Sequence, residues 1–476
     1  MAYRYGDRLQ MTLFPQSVED YVAQDDPVRA FDAFVEALDL KELGIDIDED
    51  KEGNPEYYPK AMLKLILYGC SYGTRSSRKL ERACHHNVSF IWLMGGLKPD
   101  HKTISEFRKS NKRALKNIIK QCARMCIKLE LIEGNTLFVD GSKIRANASI
   151  SNTFTKERAE KLLKNIDSRI QQILDECDVA DEQEQNDSSL VKMQEELKDK
   201  KVLKAKIEGI VKELSSESKE NINATDKDCV KIKGRQGAHA GYNGHIVVDE
   251  KHGLIVNSDV VAESNDLNQF ANQIEQANDV LGEKCNNACA DAGFANTDEL
   301  KKIDEQGITV IVPSQKQAHD TEPGEYDKER FKYDAGNDCY ICPQGQTLKY
   351  SFIDHEKNHR IYQITDKTIC LACKSYGACT KAKDGRRIRR LINEETKLKL
   401  EKQYKTESSQ EIYKLRKERI EHPFGHIKRN LGVTSFLLKG LEGVKAEMSL
   451  FSSCFNILRM VTICCGVQGF IAKLST

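Results

Sequence analysis

The sequence predicts a mixed α+β protein, with an all-helical N-terminal region leading into a partly parallel sheet covered by helices. Three observations predict it. Apolar residues before position 130 recur at three- and four-residue spacing. An apolar run ending in an acid begins at Thr136, and from position 241 strand-like runs alternate with helical ones. Connections through helices favour parallel neighbours in one sheet. At 476 residues the chain is long enough for several buried cores.

In residues 1–130, Pro27 opens a helix whose Ala30, Phe31, Phe34, Val35 and Leu38 share a face. Residues 58–68 and 103–128 are similarly amphipathic, and Gly73-Thr74-Arg75-Ser76-Ser77-Arg78 is a polar break that begins another helix. Compact helices on short turns suit a helix-turn-helix DNA module or a protein-contact bundle. Thr136-Leu137-Phe138-Val139-Asp140 then reads as a buried strand, with a turn starting at Gly141-Ser142-Lys143-Ile144.

A heptad rhythm follows in residues 155–220. Ala159, Leu163, Ile166, Ile170, Ile173 and Cys177 carry it; after an acidic break at 178–187, Leu190, Met193, Leu197, Leu203, Ile207, Ile210 and Leu214 resume it. This predicts an antiparallel coiled-coil hairpin, a spacer or dimer contact. Residues 241–248 and 254–261 form a predicted hairpin. A helix follows (267–281), then a strand (287–290) ending in Asp291-Ala292-Gly293, a helix (298–305) and a strand (308–312). A long insertion occupies 314–395 before the last helices.

Charges balance, 73 basic against 73 acidic residues, which excludes a uniformly basic nucleic-acid coat. The balance is a cancellation between segments. Residues 102–128 hold nine Lys/Arg against one acid and 374–429 hold seventeen against eight, while 175–226 hold fifteen acids against eight lysines. Two local basic surfaces are therefore expected to meet phosphates, and the acidic hairpin to stay clear of them. Residues 1–10 lack the apolar core of a signal peptide, and the apolar stretch at 448–474, interrupted by Asn456, Arg459 and Gln468, reads as a buried helix. No membrane contact and a cytoplasmic location are expected.

Asp140 and Asp291 both end predicted buried strands, where ligand sites of α/β sheets gather. Carboxylates suit Mg²⁺ or Mn²⁺, and two such ions about 4 Å apart serve phosphodiester cleavage. The third acid is sought in Tyr413-Lys414-Leu415-Arg416-Lys417-Glu418-Arg419-Ile420-Glu421-His422-Pro423-Phe424-Gly425-His426-Ile427-Lys428. There Glu421 and Lys428, seven apart, share a helical face, and Pro423 predicts a kink or a helix start near Glu421. Cys339-x2-Cys342, Cys370-x2-Cys373 and Cys379 offer thiolates, four of the five, for tetrahedral Zn²⁺. Arg386-Arg387-Ile388-Arg389-Arg390 is a phosphate-binding candidate or a solvated run. His85 and His86 have no ligand spacing.

At Asp140, Asp291 and the Glu421 segment, the sequence resembles the DDE transposases of bacterial insertion sequences. The resemblance extends to residues 58–81 with Arg75 and Arg78, to Pro99-Asp100-His101-Lys102-Thr103-Ile104, to Gly241-Tyr242-Asn243 with Asp249, and to Ser264-Asn265-Asp266. It implies an RNase H-like (retroviral-integrase-like) catalytic core over 131–476, carrying the coiled-coil hairpin and a zinc-ribbon-like insertion, after a DNA-binding domain at 1–130. It implies double-stranded DNA as partner, both transposon ends and target, and a homodimer or higher synaptic complex on the nucleoid. Metal-dependent cleavage and strand transfer by Asp140, Asp291 and Glu421 follow, with Lys428, Tyr413 and Arg416 at the DNA. Four residues separate Arg416 from Glu421 where the common signature has three, which leaves the roles of Tyr413 and Arg416 open. Similar transposases carry the equivalents of Cys342, Cys370, Cys373 and Cys379, whereas CxxC symmetry favours Cys339 over Cys379. The alternatives are a catalytically inactive DNA-binding relative and an RNase H-like nuclease without strand transfer.

Overall fold

The computed structural model describes residues 17–45, 47, 56–182, 187–216, 221–234, 237–319 and 322–475, with side chains 177–193 left aside. The reading of residues 1–10, positions 183–186 of the acidic break, and the heptad contacts of Cys177, Leu190 and Met193 fall outside what is described; the ends of that break, 178–182 and 187, are helical rather than a turn.

The N-terminal region is helical: α1 (Pro27–Glu36), α2 (Leu40–Leu43), α3 (Pro59–Ser71), α4 (Ser77–His86), α5 (Val88–Leu93), α6 (His101–Ser110) and α7 (Lys112–Lys128). α1 starts where its sequence dictates. Val28 N donates to the Asp26 carboxylate at 2.8 Å, and Pro27 occupies the first turn, where no N–H is needed. Val28, Phe31, Phe34 and Val35 form its buried stripe. Asp100 caps α6 in the same way, accepting from Thr103 N at 2.7 Å.

β1 (Thr136–Arg145) opens the main sheet. A short pair, β2 (Thr153–Phe154) with β3 (Ile222–Asn223), closes the base of two long helices, α8 (Lys156–Glu182) and α9 (Asp187–Ser216). Then come β4 (Val230–Gly234), β5 (Gly237–Asp249), β6 (Ile255–Val261), α10 (Phe270–Leu281), β7 (Asn287–Cys289), α11 (Thr297–Asp304) and β8 (Thr309–Ile311). β4 and β6 pair with β5, which lies antiparallel to β1; β7 is parallel to β1 and β8 parallel to β7. The expected turn after Asp140 does not occur. Gly141 to Arg145 continue β1 because each finds a partner on β5, from His245 back to Gly241.

α8 and α9 pack antiparallel. Ala159 and Ile166 meet Ile207, Ile210 and Leu214, while Arg169 pairs with Glu196 at 3.0 Å. Leu203, a predicted seam residue, is instead exposed. After α12 (Gln315–Ala318), the strands β9 (Lys332–Asp334), β10 (Cys339–Ile341), β11 (Thr347–Asp354) and β12 (His359–Ile364), the helix α13 (Lys367–Leu371) and the strand β13 (Arg387–Leu391) complete a second unit. Its five strands form an antiparallel sheet in the order β13-β12-β11-β10-β9.

The chain ends in α14 (Glu394–Tyr404), α15 (Glu407–Arg429), α16 (Leu441–Ile463) and α17 (Val467–Leu474). α15 is helical through Pro423, so the helix start expected near Glu421 is absent. Pro423, Phe424 and Ile427 are buried on it, and tertiary packing overrides the lost hydrogen bond. α16 lies against α7, α3 and β6, so one hydrophobic core runs from the N-terminal helices to the sheet. Among the described residues no single helix is long and apolar enough to cross a membrane. α16 and α17 would pass such a test only together, and they are bent by 102°.

Candidate active site

Sheet register brings the two aspartates together. On the parallel strands β1 and β7, Phe138 stands opposite Cys289, and Asp140 and Asp291 each lie two residues further on. Both therefore emerge at the same carboxyl end of the sheet. α15 runs past β1 and β7 and sends Arg416 between them. Its Nη2 stands 3.4 Å from Asp140 Oδ1 and 3.4 Å from Asp291 Oδ2. Asp140 is 22% exposed and Asp291 44%, so the pair opens to solvent through Asp291. Burial pushes the Asp140 carboxyl up to about 7. Arg416 and the Gly141 N–H oppose this, and the charges of Asp291 and Asp266 add to it. Asp291 also caps the short turn Ala292–Phe294, accepting from Gly293 N at 2.8 Å.

Lys428, two turns beyond Glu421 on α15, donates to Ser142 Oγ. Burial lowers its ammonium below the ordinary value, and the nearby Asp140 charge opposes that. Tyr413 packs beside Arg416, its ring 5.8 Å from the guanidinium carbon. Glu421 is exposed on α15. Among the described residues, no three carboxylate, histidine or cysteine groups stand close enough to hold a metal ion. The structure thus unites Asp140, Asp291, Arg416 and Lys428 but does not bring Glu421 to the pair. Mg²⁺ is commonly held by one or two carboxylates with substrate oxygens completing the shell. The two aspartates, already sharing one cationic nitrogen, fit that role.

Sequence reasoning assigned no role to the residues on the other face of β1. Lys143 Nζ donates to Asp266 Oδ1 at 3.1 Å, Asn243 Nδ2 donates to the same oxygen at 2.6 Å, and His245 Nε2 lies 3.0 Å from it. Burial would raise the Asp266 carboxyl, but His245, Asn243 and Lys143 hold it well below the usual carboxylate range. The signal in the sequence was that Lys143, Asn243 and Asp266 sit inside stretches carrying the resemblance. Asp249, from the same motifs, plays a structural part, accepting from Gly134 N and Lys251 N around the β5–β6 turn.

Four cysteines, Cys342, Cys370, Cys373 and Cys379, line one cavity with Tyr326 and Arg386. Cys339 is buried in β10 and is not among its lining residues. Gln346 N donates to Cys342 Sγ at 3.2 Å and Ser375 N to Cys373 Sγ at 3.4 Å, bonds that steady these sulfurs. Burial raises the Cys379 thiol; Arg386 opposes it, and Cys342, Cys370 and Cys373 add to it. The donor set suits tetrahedral Zn²⁺, although the thiols are not drawn to ligand distances.

The predicted DNA-contacting arginines divide. Arg75 turns inward, donating to Ser435 O at 2.9 Å and lying 3.4 Å from Glu447. Arg386 donates to Cys379 O and Tyr326 O, both at 2.9 Å. Arg390 is buried over the Tyr333 ring at 3.8 Å. Arg78, Arg387 and Arg389 are exposed. Strand alternation explains the split of the basic run, since Arg387 and Arg389 share one face of β13 and Ile388 and Arg390 the other.

Comparison with protein families gives two matches. Residues 341–461 match a family described as Transposase DDE domain, a span holding Arg416, Glu421, Lys428 and all of the clustered cysteines except Cys339. Residues 16–110 match a Transposase domain (DUF772). No curated protein and no solved structure gives a match.

Proposed function

Starting from a chain of the DDE transposase type found in insertion sequences, matched near both of its ends, we propose a DNA transposase that binds the element's terminal repeats, cuts there and joins the ends to target DNA. The observation that carries this reading is the Asp140–Asp291 pair at the ends of adjacent parallel strands, bridged by Arg416. The sheet order, antiparallel strands followed by two parallel ones, supports an RNase H-like core. The α8–α9 pair is read as the coiled-coil hairpin.

Asp140 and Asp291 are the residues that would hold Mg²⁺ or Mn²⁺, with Glu421 approaching along α15 when DNA is bound. The chemistry supplied by the bound ions is charge neutralisation at the phosphodiester and activation of the attacking oxygen. Arg416 would then be free to contact a phosphate, and Lys428 stands ready for another beside Ser142. Arg78 on α4 and Arg387 and Arg389 on β13 are the exposed basic groups assigned to flanking DNA. Acting on cellular DNA, the protein would work in the cytoplasm at the nucleoid, as a dimer or larger assembly holding two ends.

In cells, the gene with its flanking DNA should move to a target plasmid when the protein is supplied. Breaks at the ends that are never joined would leave a nuclease without strand transfer, and binding without breaks would leave an inactive relative.

The cysteine cavity is read as a structural Zn²⁺ site of Cys342, Cys370, Cys373 and Cys379. Metal analysis should find about one zinc per chain. Cys339→Ser should keep it and Cys370→Ser should lose it. Full zinc content in Cys370→Ser would overturn the assignment.

A further inference from the structure

β1 carries a lysine contact on each of its faces next to Asp140. Ser142 faces α15 and meets Lys428, while Gly141 and Lys143 face the other way, opposite His245 and Asn243 of β5. On that second face Asp266, just ahead of α10, presses flat against the strand. A Cβ on Gly141 would stand 2.5 Å from Asp266 Oδ1 and 3.0 Å from His245 Nε2, so only glycine leaves room for the carboxylate there. The same carboxylate reaches toward Asp291, its Oδ2 lying 3.8 Å from where a Cβ on Gly293 would be.

Asp266 is anchored without Lys143. Asn243 and His245, both fully buried, already meet its Oδ1 at 2.6 and 3.0 Å. Lys143 adds 3.1 and 3.3 Å contacts to the two oxygens yet stays 29% exposed. An ammonium has three donors, and this one spends at most two on Asp266. The remaining donor belongs to a cation three residues along β1 from Asp140, held by a carboxylate whose charge is felt at Asp140.

Resting on the transposase reading above, we propose that Lys143 is a second phosphate-contacting lysine of the active site, gripping the DNA strand being cut from the face of β1 opposite Lys428. Asp266 is its positioning residue, itself held by His245 and Asn243. The ligand is a backbone phosphodiester oxygen near the scissile bond.

The test uses the full-length protein and a duplex made from the DNA flanking the gene. Lys143→Ala should slow Mg²⁺-dependent nicking by about 100-fold, and Lys143→Arg should recover most of that loss. In EDTA, the slope of log affinity against log salt should fall by about 0.9 in Lys143→Ala, the signature of one lost phosphate contact. Asp266→Asn should slow nicking with the slope nearly intact, since the lysine remains but is no longer aimed. Wild-type nicking and slope in Lys143→Ala would overturn the proposal, as would equal damage in Lys143→Ala and Lys143→Arg. If the wild-type protein never nicks, the transposase reading fails on its own, and the salt slope still decides whether Lys143 meets a phosphate.

Discussion

Asp140→Asn should lower Mg²⁺-dependent DNA cleavage by on the order of 10³-fold or more while duplex binding persists. Asparagine keeps the shape of the side chain and removes the charge that would hold the metal ion. The fold should tolerate it. Burial pushes the Asp140 carboxyl up to about 7, so the folded state binds this proton more tightly than the unfolded chain, whose carboxyl titrates near 3.9. The stability contributed by the neutral carboxyl is complete below about pH 4 and is lost as pH rises through about 7. At pH 8 in EDTA the variant should therefore melt no lower than the wild-type protein. A variant that binds DNA, folds and still cleaves at the wild-type rate would remove Asp140 from the chemistry.

Glu447→Ala should be strongly destabilising, costing about 3–5 kcal/mol. Glu447 is 5% exposed on α16 and accepts from Leu437 N at 2.8 Å and Leu438 N at 2.9 Å. Arg75 stands 3.4 Å away, and the Arg108 charge is felt at the same carboxyl, which burial pushes up and these partners pull down. Alanine would strand two backbone N–H groups and leave half-buried Arg75 and buried Arg108 without their counter-charge. The damage would reach β1, because Phe436, next to those N–H groups, donates to Arg145 O at 2.9 Å. A thermal melt of Glu447→Ala should show a fall of several degrees or more, with Glu447→Gln milder. An unchanged melt would show that the cluster carries no such weight.

Much of the architecture was legible because local patterns and tertiary packing agree: the α1 stripe, the β5–β6 hairpin, and the alternation of strands and helices from β6 to β8. Asp140 and Asp291 stood out for one reason, each following an apolar run, and parallel register then sets them side by side. What stayed hidden depends on partners far away in sequence. Lys143 and Asp266 are 123 positions apart; each lies in a stretch that carries the resemblance, but nothing local in the sequence pairs one with the other. Arg75 looked like a DNA contact because it sits in a polar, basic turn, whereas its carboxylate partner lies 372 positions on. The run from Arg386 to Arg390 suggested one basic patch, but strand alternation sends Arg390 inward. CxxC symmetry pointed to Cys339, which β10 buries away from the cavity. Pro423 argued for a break that packing on α15 overrides, and Glu421 stays outside the aspartate pair, on the same helix as Lys428.

The most direct test of the central claim, that the Asp140–Asp291 pair is the metal-holding centre of a DNA-cutting site, is to map breaks at nucleotide resolution. Purified protein and a plasmid carrying the gene with its flanks would be incubated with Mg²⁺ or with EDTA. Breaks are expected at the two element boundaries in Mg²⁺, none in EDTA, and none with Asp140→Asn. Boundary breaks that persist in EDTA or in Asp140→Asn would contradict the claim.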